Sequence, residues 1–252
     1  MNVIDLFAGC GGLSKGFMDA GYNILIGVDT EQAALNTFAR NHDGAIAMKA
    51  DLSDEKSFDE IKKAVGDHEV DIIIAGPPCQ GFSLTGPRNF DDARNSLYLA
   101  VIEIVKRYKP KGFIIENVPG MATLYGGQIK EEVLNRFRKL GYNIDCKVLC
   151  AADYGVPQLR RRLIFMGIRQ DIGVPKFPKP IFSETDYRTC RDAISDWVPV
   201  SIAEDKADPG HKVLCTQYDG HVIEETGLIK MDFLGLKTLS ILKEAIENIR
   251  IV

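Results

Sequence analysis

Cys79 stands out as a candidate nucleophile because of the chain that carries it. It follows an apolar run and two prolines in the stretch DIIIAGPPCQGFS, residues 71–83. Pro77 and Pro78 each fix a backbone φ angle, so the thiol is expected on a stiff, extended loop. A structural cysteine would more often lie buried within a strand. A thiol of ordinary pKa, about 8.5, is mostly protonated at neutral pH, so this nucleophile would need activation.

A carboxyl group and two guanidinium groups are predicted close to this thiol. Glu116 ends the apolar run GFIIENV, which is the next strand-like segment along the chain. Arg160 and Arg162 alternate at the start of a later run, RRLIF, so they share one face of a strand. Such arginines could hydrogen-bond a base or a phosphate, or could only form a basic strand edge that discourages aggregation.

A glycine-rich loop, DLFAGCGG, follows the first apolar run. Its glycines let the backbone turn sharply and approach a ligand closely. Asp29 ends the second apolar run, about 20 residues downstream, where an acid can bind ribose hydroxyls. Asp51 ends the third run and could meet an adenine edge, although capping of a helix is the alternative for both acids. The pattern predicts a nucleotide-like cofactor.

The elements that must position these groups follow a simple alternation. Between residues 2 and 141, apolar runs and amphipathic helical segments alternate five times, which predicts a mostly parallel sheet with helices on both faces. Two further runs, starting at Tyr142 and Arg161, predict an antiparallel hairpin on one edge. The predicted fold is α/β: a doubly wound, mostly parallel, seven-stranded sheet of Rossmann-like type. Ligands of such sheets bind at the carboxyl ends of the strands.

Composition limits the class of protein, its metal sites and its partners. No apolar run approaches the roughly 20 residues that span a bilayer, and no basic segment precedes the first run, so neither a membrane span nor a secretory signal is expected. The six cysteines form no CxxC pair and no cluster with zinc spacing, which predicts no metal and reduced thiols in a cytosol. The net charge of −4 argues mildly against a nucleic-acid partner. Residues 197–252 carry −3 of it, with nine acidic and six basic residues.

Several motifs then occur in the order typical of one family. The stretches DLFAGCGG, GPPCQGFS, RNSLY, ENVPG, YGVPQLRRRLIF and TCRDAISD together resemble the DNA (cytosine-5)-methyltransferases, over residues 2–196. The resemblance implies the fold of S-adenosylmethionine-dependent methyltransferases, with S-adenosyl-L-methionine as the methyl donor. It implies double-stranded DNA as the partner, with the target cytosine flipped out of the duplex. It also implies a cytoplasmic enzyme encoded by a bacterium or phage, in a restriction-modification setting.

The resemblance assigns a role to each candidate residue. Cys79 would add to C6 of the cytosine, Glu116 would hold and help protonate N3, and Arg162 would bond O2, with Arg160 supporting the loop or the substrate. The cofactor's methionine end would lie at the glycine loop, its ribose at Asp29 and its adenine near the third strand. The implied cofactor residues are Phe7, Ala8, Gly9, Gly11, Asp29, Thr30, Asp51, Leu52 and Pro77. The implied substrate residues are Gln80, Ser83, Asn117 and Gln158.

The segment 197–252 departs from that family. We expect a target-recognition region and a closing Asn-containing motif there, and the sequence shows neither. The stretch GLIKMDFLGLKTLSI instead resembles a palm-region fragment of the bacterial replicative DNA polymerase alpha subunit, with Asp232 at a metal-binding position. One carboxylate cannot organise two-metal phosphoryl transfer, so no polymerase activity is predicted. The predicted domains are an incomplete catalytic domain, 1–196, and a polymerase-like tail, 197–252.

Three origins are open for this organisation. The chain is an artificial join near residues 195–198, a natural fusion after truncation, or one half of a split methyltransferase whose second chain recognises the target. Two alternatives to catalysis also stay open. The chain could bind S-adenosylmethionine without turnover. A nicotinamide dehydrogenase would fit the glycine loop and Asp29, but it leaves Cys79, Glu116 and the arginines unexplained.

Overall fold

The computed structural model describes residues 1–78, 96–189, 192–193, 201–204 and 212–215. The chain divides into two units, residues 1–190 and 191–252. Three residues of the predicted site, Cys79, Gln80 and Ser83, lie outside the described residues, as does Asp232. In the second unit, two described strands, Ser201–Glu204 and Lys212–Cys215, form an antiparallel hairpin, with Ser201 opposite Cys215.

In the first unit, strands alternate with helices along the chain, as the sequence predicts. The elements are β1 Asn2–Leu6, α1 Gly12–Asp19, β2 Asn23–Asp29, α2 Gln32–Asn41, β3 Ile46–Lys49, α3 Lys56–Val65, β4 Ile72–Ala75, α4 Ser96–Tyr108, β5 Gly112–Asn117, α5 Gln128–Lys139, β6 Tyr142–Cys150 and β7 Arg161–Arg169. The hairpin of the second unit comprises β8 Ser201–Glu204 and β9 Lys212–Cys215. Short 3₁₀ turns lie at Pro119–Ala122, Leu124–Gly127 and Ala151–Tyr154.

Local sequence explains where these elements begin and end. Glu31 caps α2, because its side chain accepts a hydrogen bond from the backbone N–H of Ala33. Gly21 and Gly141 follow α1 and α5 with φ angles of 85° and 88°, a left-handed conformation that glycine adopts without steric cost. Helix α3 buries Phe58, Ile61 and Val65 at helical spacing, which fixes the face it turns to the sheet.

The seven strands of the main sheet have the order β3-β2-β1-β4-β5-β7-β6. Strands β1 to β5 are parallel, whereas β7 runs antiparallel to both β5 and β6. The fold class predicted from the sequence is therefore confirmed, including the antiparallel hairpin at one edge. The strand order reverses between β1 and β4, and a sheet of this kind opens a ligand crevice at such a point.

The core beneath that crevice is apolar and closely packed. Ile4, Leu6 and Ile73 from the central strands are fully buried. Phe113 of β5 contacts Phe137 of α5 with ring centroids 4.1 Å apart, so the far side of the sheet has an aromatic core. No helix within the described ranges is long and apolar enough to cross a membrane.

Candidate active site

A cavity of about 450 Å³ lies at the carboxyl ends of the central strands. It brings together the glycine loop, the start of the loop that follows β4, and the arginine-bearing start of β7. Its lining residues are Asp5, Phe7, Gly12, Leu13, Gly76, Glu116 and Arg160. One residue of the predicted cofactor set, Phe7, and two of the residues predicted to act on a base, Glu116 and Arg160, therefore line the same cavity.

The glycine loop is held in a tight, partly strained turn. The N–H of Ala8 donates to the carbonyl of Val28 at 3.0 Å, and the N–H of Gly11 donates to the carbonyl of Ala8 at 2.9 Å. Phe7 adopts a φ of 59°, a left-handed conformation that costs a non-glycine residue about 1–3 kcal/mol. Strain of this kind persists where the surrounding structure imposes it, and here it lies at the cavity wall.

Asp29 links the glycine loop to β2. Its Oδ2 accepts a hydrogen bond from the N–H of Gly9 at 2.8 Å, and its Oδ1 accepts one from the N–H of Glu31 at 2.9 Å. The carboxylate thus lies beside the loop at the carboxyl end of a parallel strand, where the sequence predicts it. Thr30, the next residue, is exposed at the same edge.

Asp51 follows β3 at the neighbouring position on this edge. Its Oδ1 accepts hydrogen bonds from the N–H and the hydroxyl of Ser53, at 2.9 Å and 2.7 Å. These hydrogen bonds from Ser53 lower the pKa of the Asp51 carboxyl group, which favours an exposed, ionised acceptor. Leu52 is buried behind it, with 3% of its surface exposed.

Glu116 forms the centre of the other side of the cavity. Its Oε1 lies 2.7 Å from Nε of Arg162 and 3.3 Å from Nη2 of Arg160. Pairing of Asn117 with Leu163 across β5 and β7 brings the three side chains together. The prediction that both arginines share one face, at the edge where Glu116 ends its strand, is confirmed. All three side chains keep contact with solvent, with exposed fractions of 27% for Glu116, 48% for Arg160 and 28% for Arg162.

Asn117 has surroundings that differ from its predicted role. Only 3% of its surface is exposed. Its Nδ2 donates to the carbonyl of Pro77 at 3.2 Å, and its Oδ1 accepts from the N–H of Val118 at 2.8 Å. Both ends of the amide are thus used inside the protein, to fasten the chain two residues before Cys79, rather than presented to a substrate. Gln158, in contrast, is exposed.

Asp5 is a residue of this cavity that the sequence interpretation missed. It is 1% exposed, and its Oδ2 has no hydrogen-bond partner among the residues that the structure describes. Burial raises its pKa from 3.8 to about 7, which interactions with Ser14 offset in part, and the nearby charge of Asp29 raises it a little further. An acid inside the apolar run NVIDLF is the signal that could have identified it, because a buried carboxyl group costs free energy unless it has a use.

This geometry can be compared with known proteins. The sequence model of the C-5 cytosine-specific DNA methylases matches residues 1–227. The chain belongs to this family. It is 38% identical over 233 residues to the Type II methyltransferase M1.HphI of Haemophilus parahaemolyticus, a match that covers 91% of this chain and 61% of the relative. It is 42% identical over 197 residues to M.XorII of Xanthomonas oryzae pv. oryzae, which covers 77% of this chain and 45% of that relative.

Solved structures agree with this assignment. A prophage-encoded candidate DNA modification methyltransferase of E. coli superimposes with a TM-score of 0.64 at 31% identity, over 87% of this chain and 62% of that one. The Dnmt2 methyltransferase of S. pombe superimposes with a TM-score of 0.60 at 20% identity, over 90% of this chain and 66% of that one. The second match shows a shared fold.

The extent of these matches bears on the predicted tail. The family match continues past residue 196 to residue 227, and so includes more than half of the segment 197–252. The matches give no support to a polymerase-like origin for that segment, nor to the predicted truncation. The chain spans 61%, 50% and 45% of the lengths of three curated relatives, M1.HphI, M.DdeI and M.XorII.

Proposed function

We propose that this protein transfers a methyl group from S-adenosylmethionine to C5 of a cytosine flipped out of double-stranded DNA. The observation that carries the proposal is Glu116, which lines the same cavity as Arg160 and the glycine loop and forms ion pairs with both Arg160 and Arg162. A carboxyl group flanked by two guanidinium groups can meet the polar edge of a pyrimidine, which offers both a ring nitrogen and a carbonyl oxygen. A nicotinamide dehydrogenase has no use for this arrangement.

The cofactor side fits S-adenosylmethionine, the methyl donor of C-5 cytosine methylases. Asp29 lies beside Gly9, where a ribose would meet it, and Asp51 is an exposed carboxylate suited to an amino group on adenine. The methionine end would lie against Phe7, Ala8, Gly9 and Gly11, near Pro77, with the adenine between Thr30 and Leu52. The cofactor, when bound, supplies an electrophilic methyl group on a sulfonium.

The chain's own residues then act on the cytosine. The thiolate of Cys79, which lies outside the described residues, would form a bond to C6 and so make C5 nucleophilic. Glu116 would hold N3 and share a proton with it, which draws electrons from the ring as the bond forms. Arg162 would donate to O2, with Arg160 in support. After C5 gains its methyl group, loss of the C5 proton to a base lets the C6–sulfur bond break and restores the thiolate.

The remaining predicted residues have lesser roles. We assign Asn117 the task of anchoring the chain at Pro77, because both ends of its amide are used there. Gln80, Ser83 and Gln158 stay as predicted contacts to the DNA. The division at residue 196, the polymerase-like tail and a second chain for target recognition also stay predictions, as does a cytoplasmic location in a bacterial or phage-infected cell.

A second candidate function is cofactor binding without turnover. It is favoured by a difference between the two sides of the site, since the buried hydroxyl of Ser14 ties the glycine loop at Gly11 whereas the ion pairs of Glu116 are partly exposed. The two functions separate cleanly in one experiment. Incubation with labelled S-adenosylmethionine and duplex DNA containing 5-fluorocytosine traps the enzyme on its substrate, because fluorine at C5 cannot leave as a proton.

Catalysis predicts a covalent protein–DNA adduct that carries the label. The adduct should form with the wild type and with Cys146→Ser, whose sulfur lies on β6, and should be absent with Cys79→Ser. Cofactor binding without any adduct would instead establish the non-catalytic function. An adduct that survives Cys79→Ser would overturn the assignment of the nucleophile.

A further inference from the structure

A pair of stacked rings lies beneath the glycine loop. Phe38 and His42 occupy the last turn of α2 and the residue that ends it, with ring centroids 4.2 Å apart and planes within 5° of parallel. Both are buried, with exposed fractions of 0% and 1%. No motif of the sequence singles out either residue.

The hydrogen bonds of His42 fix how its ring is oriented. Its Nδ1 lies 3.0 Å from the carbonyl oxygen of Phe38, and its Nε2 lies 3.1 Å from the hydroxyl oxygen of Ser14. A carbonyl oxygen can only accept, so Nδ1 carries a proton. The Ser14 hydroxyl lies within hydrogen-bond distance of two groups, Nε2 of His42 at 3.1 Å and the carbonyl oxygen of Gly11 at 3.2 Å. The ring thus connects the end of α2 to the first turn of α1.

The two rings fill space that two glycines leave open. A Cβ atom added to Gly11 would lie 2.2 Å from Cε1 of His42, and one added to Gly27 would lie 2.4 Å from the ring of Phe38. Gly11 belongs to the glycine loop, and Gly27 lies on β2 two residues before Asp29. The two rings therefore pack against both the glycine loop and β2. Asp29 of β2 joins the same two elements through its hydrogen bond from Gly9.

We propose that His42 is a positioning residue of the cofactor site, which holds the glycine loop in its ligand-binding conformation through Ser14 and Gly11. The inference rests on the proposed binding of S-adenosylmethionine and adds a residue that does not touch that ligand. Ser14 is fully buried and interacts with Asp5 as well, so the chain of contacts runs from α2 to the cavity wall.

The test separates hydrogen bonding from packing. His42→Phe keeps a ring against Phe38 and removes both ring nitrogens, whereas Ser14→Ala leaves His42 in place and removes its partner. Calorimetry on the full chain would give the dissociation constant for S-adenosylhomocysteine. We expect each variant to weaken binding roughly 5- to 100-fold, because each removes the contact between the ring and Ser14 that helps to hold the glycine loop. Both substitutions break the contact between His42 and Ser14. The dissociation constant of the double variant for S-adenosylhomocysteine should therefore be no larger than the larger of the two single-variant values.

A matched control and a second readout complete the design. His68→Phe alters an exposed histidine and should leave the dissociation constant unchanged. Amide hydrogen exchange at Gly11 to Lys15, measured without ligand, should accelerate equally in both single variants and no further in the double. If His42→Phe binds like the wild type, or if the losses of the two variants multiply, His42 is only a packing residue.

Amide hydrogen exchange also distinguishes a failure of the proposed role of His42 from a failure of the proposed function. A wild type that binds no S-adenosylhomocysteine refutes the proposed function, while the exchange rates still decide the role of His42. If His42→Phe fails to fold, Ser14→Ala carries the test alone. Faster exchange of the loop at an unchanged melting temperature then supports the proposal, and unchanged exchange overturns it.

Discussion

The two sides of the cavity, the cofactor half around the glycine loop and the acceptor half around Glu116, differ in how far their polar groups are buried. On the cofactor half, Asp5 of the cavity wall and the residues Ser14 and His42, which pack against the glycine loop, are almost fully buried, with exposed fractions of 0–1%. On the acceptor half, Glu116 and its two arginines meet as ion pairs with 27–48% of each side chain exposed. Buried polar contacts are costly to break, whereas exposed ion pairs contribute only about 0–1 kcal/mol. The cofactor half is therefore ordered before any ligand arrives, and the acceptor half can exchange its ion pairs for contacts with a base.

The largest effect should come from Glu116→Gln, which separates activity from stability on the acceptor half. We expect the rate of methyl transfer to fall roughly 10²- to 10⁴-fold, because the carboxyl group that shares a proton with N3 is lost. The free energy of unfolding should change by less than about 1 kcal/mol, since both ion pairs are open to solvent and glutamine keeps the shape of the side chain. Single-turnover kinetics and urea unfolding measure the two. A stability loss of several kcal/mol would show that this half is as rigidly built as the other.

Asp5→Asn should reveal the cost of burial on the cofactor half. The pKa of the Asp5 carboxyl group is raised from 3.8 to about 7 in the folded protein. Its contribution to the free energy of unfolding is therefore fully present below the pKa of the unfolded chain, 3.8, and is lost as the pH rises through the folded pKa. Asparagine does not titrate. The stability of the variant relative to the wild type should therefore increase by on the order of 4 kcal/mol between about pH 4 and pH 7.

Urea unfolding across this pH range measures that slope. Asp51→Asn is the control, because the pKa of Asp51 is lowered and its contribution is lost only as the pH falls through the acidic range. Parallel stability curves for Asp5→Asn and the wild type would mean that Asp5 is ionised throughout.

Gly11→Ala should damage the cofactor half by a smaller amount. The residue has a φ of 88°, and its new Cβ would meet the ring of His42 at 2.2 Å. We expect a loss of about 1–3 kcal/mol in the free energy of unfolding, together with weaker binding of S-adenosylhomocysteine. Gly16→Ala is the matched control, since nothing lies within 4 Å of its Cβ position and it lies inside α1. That change should stabilise the protein by roughly 0.5–1 kcal/mol, and a similar gain at Gly11 would contradict the packing described above.

The smallest effect is expected for Arg160→Gln. Its side chain is 48% exposed, with Nη2 3.3 Å from Oε1 of Glu116, so the change in stability should stay below about 0.5 kcal/mol. Arg162→Gln should cost more, because its contact is shorter, at 2.7 Å, and less exposed. Equal and large losses from both, measured by urea unfolding, would remove the contrast between the two halves.

The sequence predicted the fold well because the apolar runs are well separated. Strand β2 ends at Asp29, as the second apolar run predicted. The hairpin was also predicted, but which arm lies outermost was not. In the structure β6 is the edge strand and β7 pairs with β5. The polar residues Asp145 and Lys147 of β6 suit that exposed position.

Individual site residues were harder to predict where tertiary contacts decide their roles. The ends of the second and fifth apolar runs located Asp29 and Glu116, because strand ends of one sheet meet at one edge. Motif resemblance then assigned the roles of the individual residues. It assigned Asn117 to the substrate, since burial and hydrogen-bond partners are invisible in a motif. It missed Asp5 and His42 because their roles depend on contacts with Ser14, which is distant along the chain from His42.

The position of β7 has a consequence for how the protein is made. The glycine loop, Asp29 and Asp51 all lie within the first fifth or so of the chain, and the contacts of the loop with Asp29 and His42 span 20 and 28 residues. Glu116 can form its ion pairs with Arg160 and Arg162 only after β7 has paired with β5. During synthesis, the N-terminal part of a chain leaves the ribosome first, and short-range contacts form faster than long-range ones. The site should therefore mature in two stages, with a loop able to hold nucleotide before the pocket for the base exists.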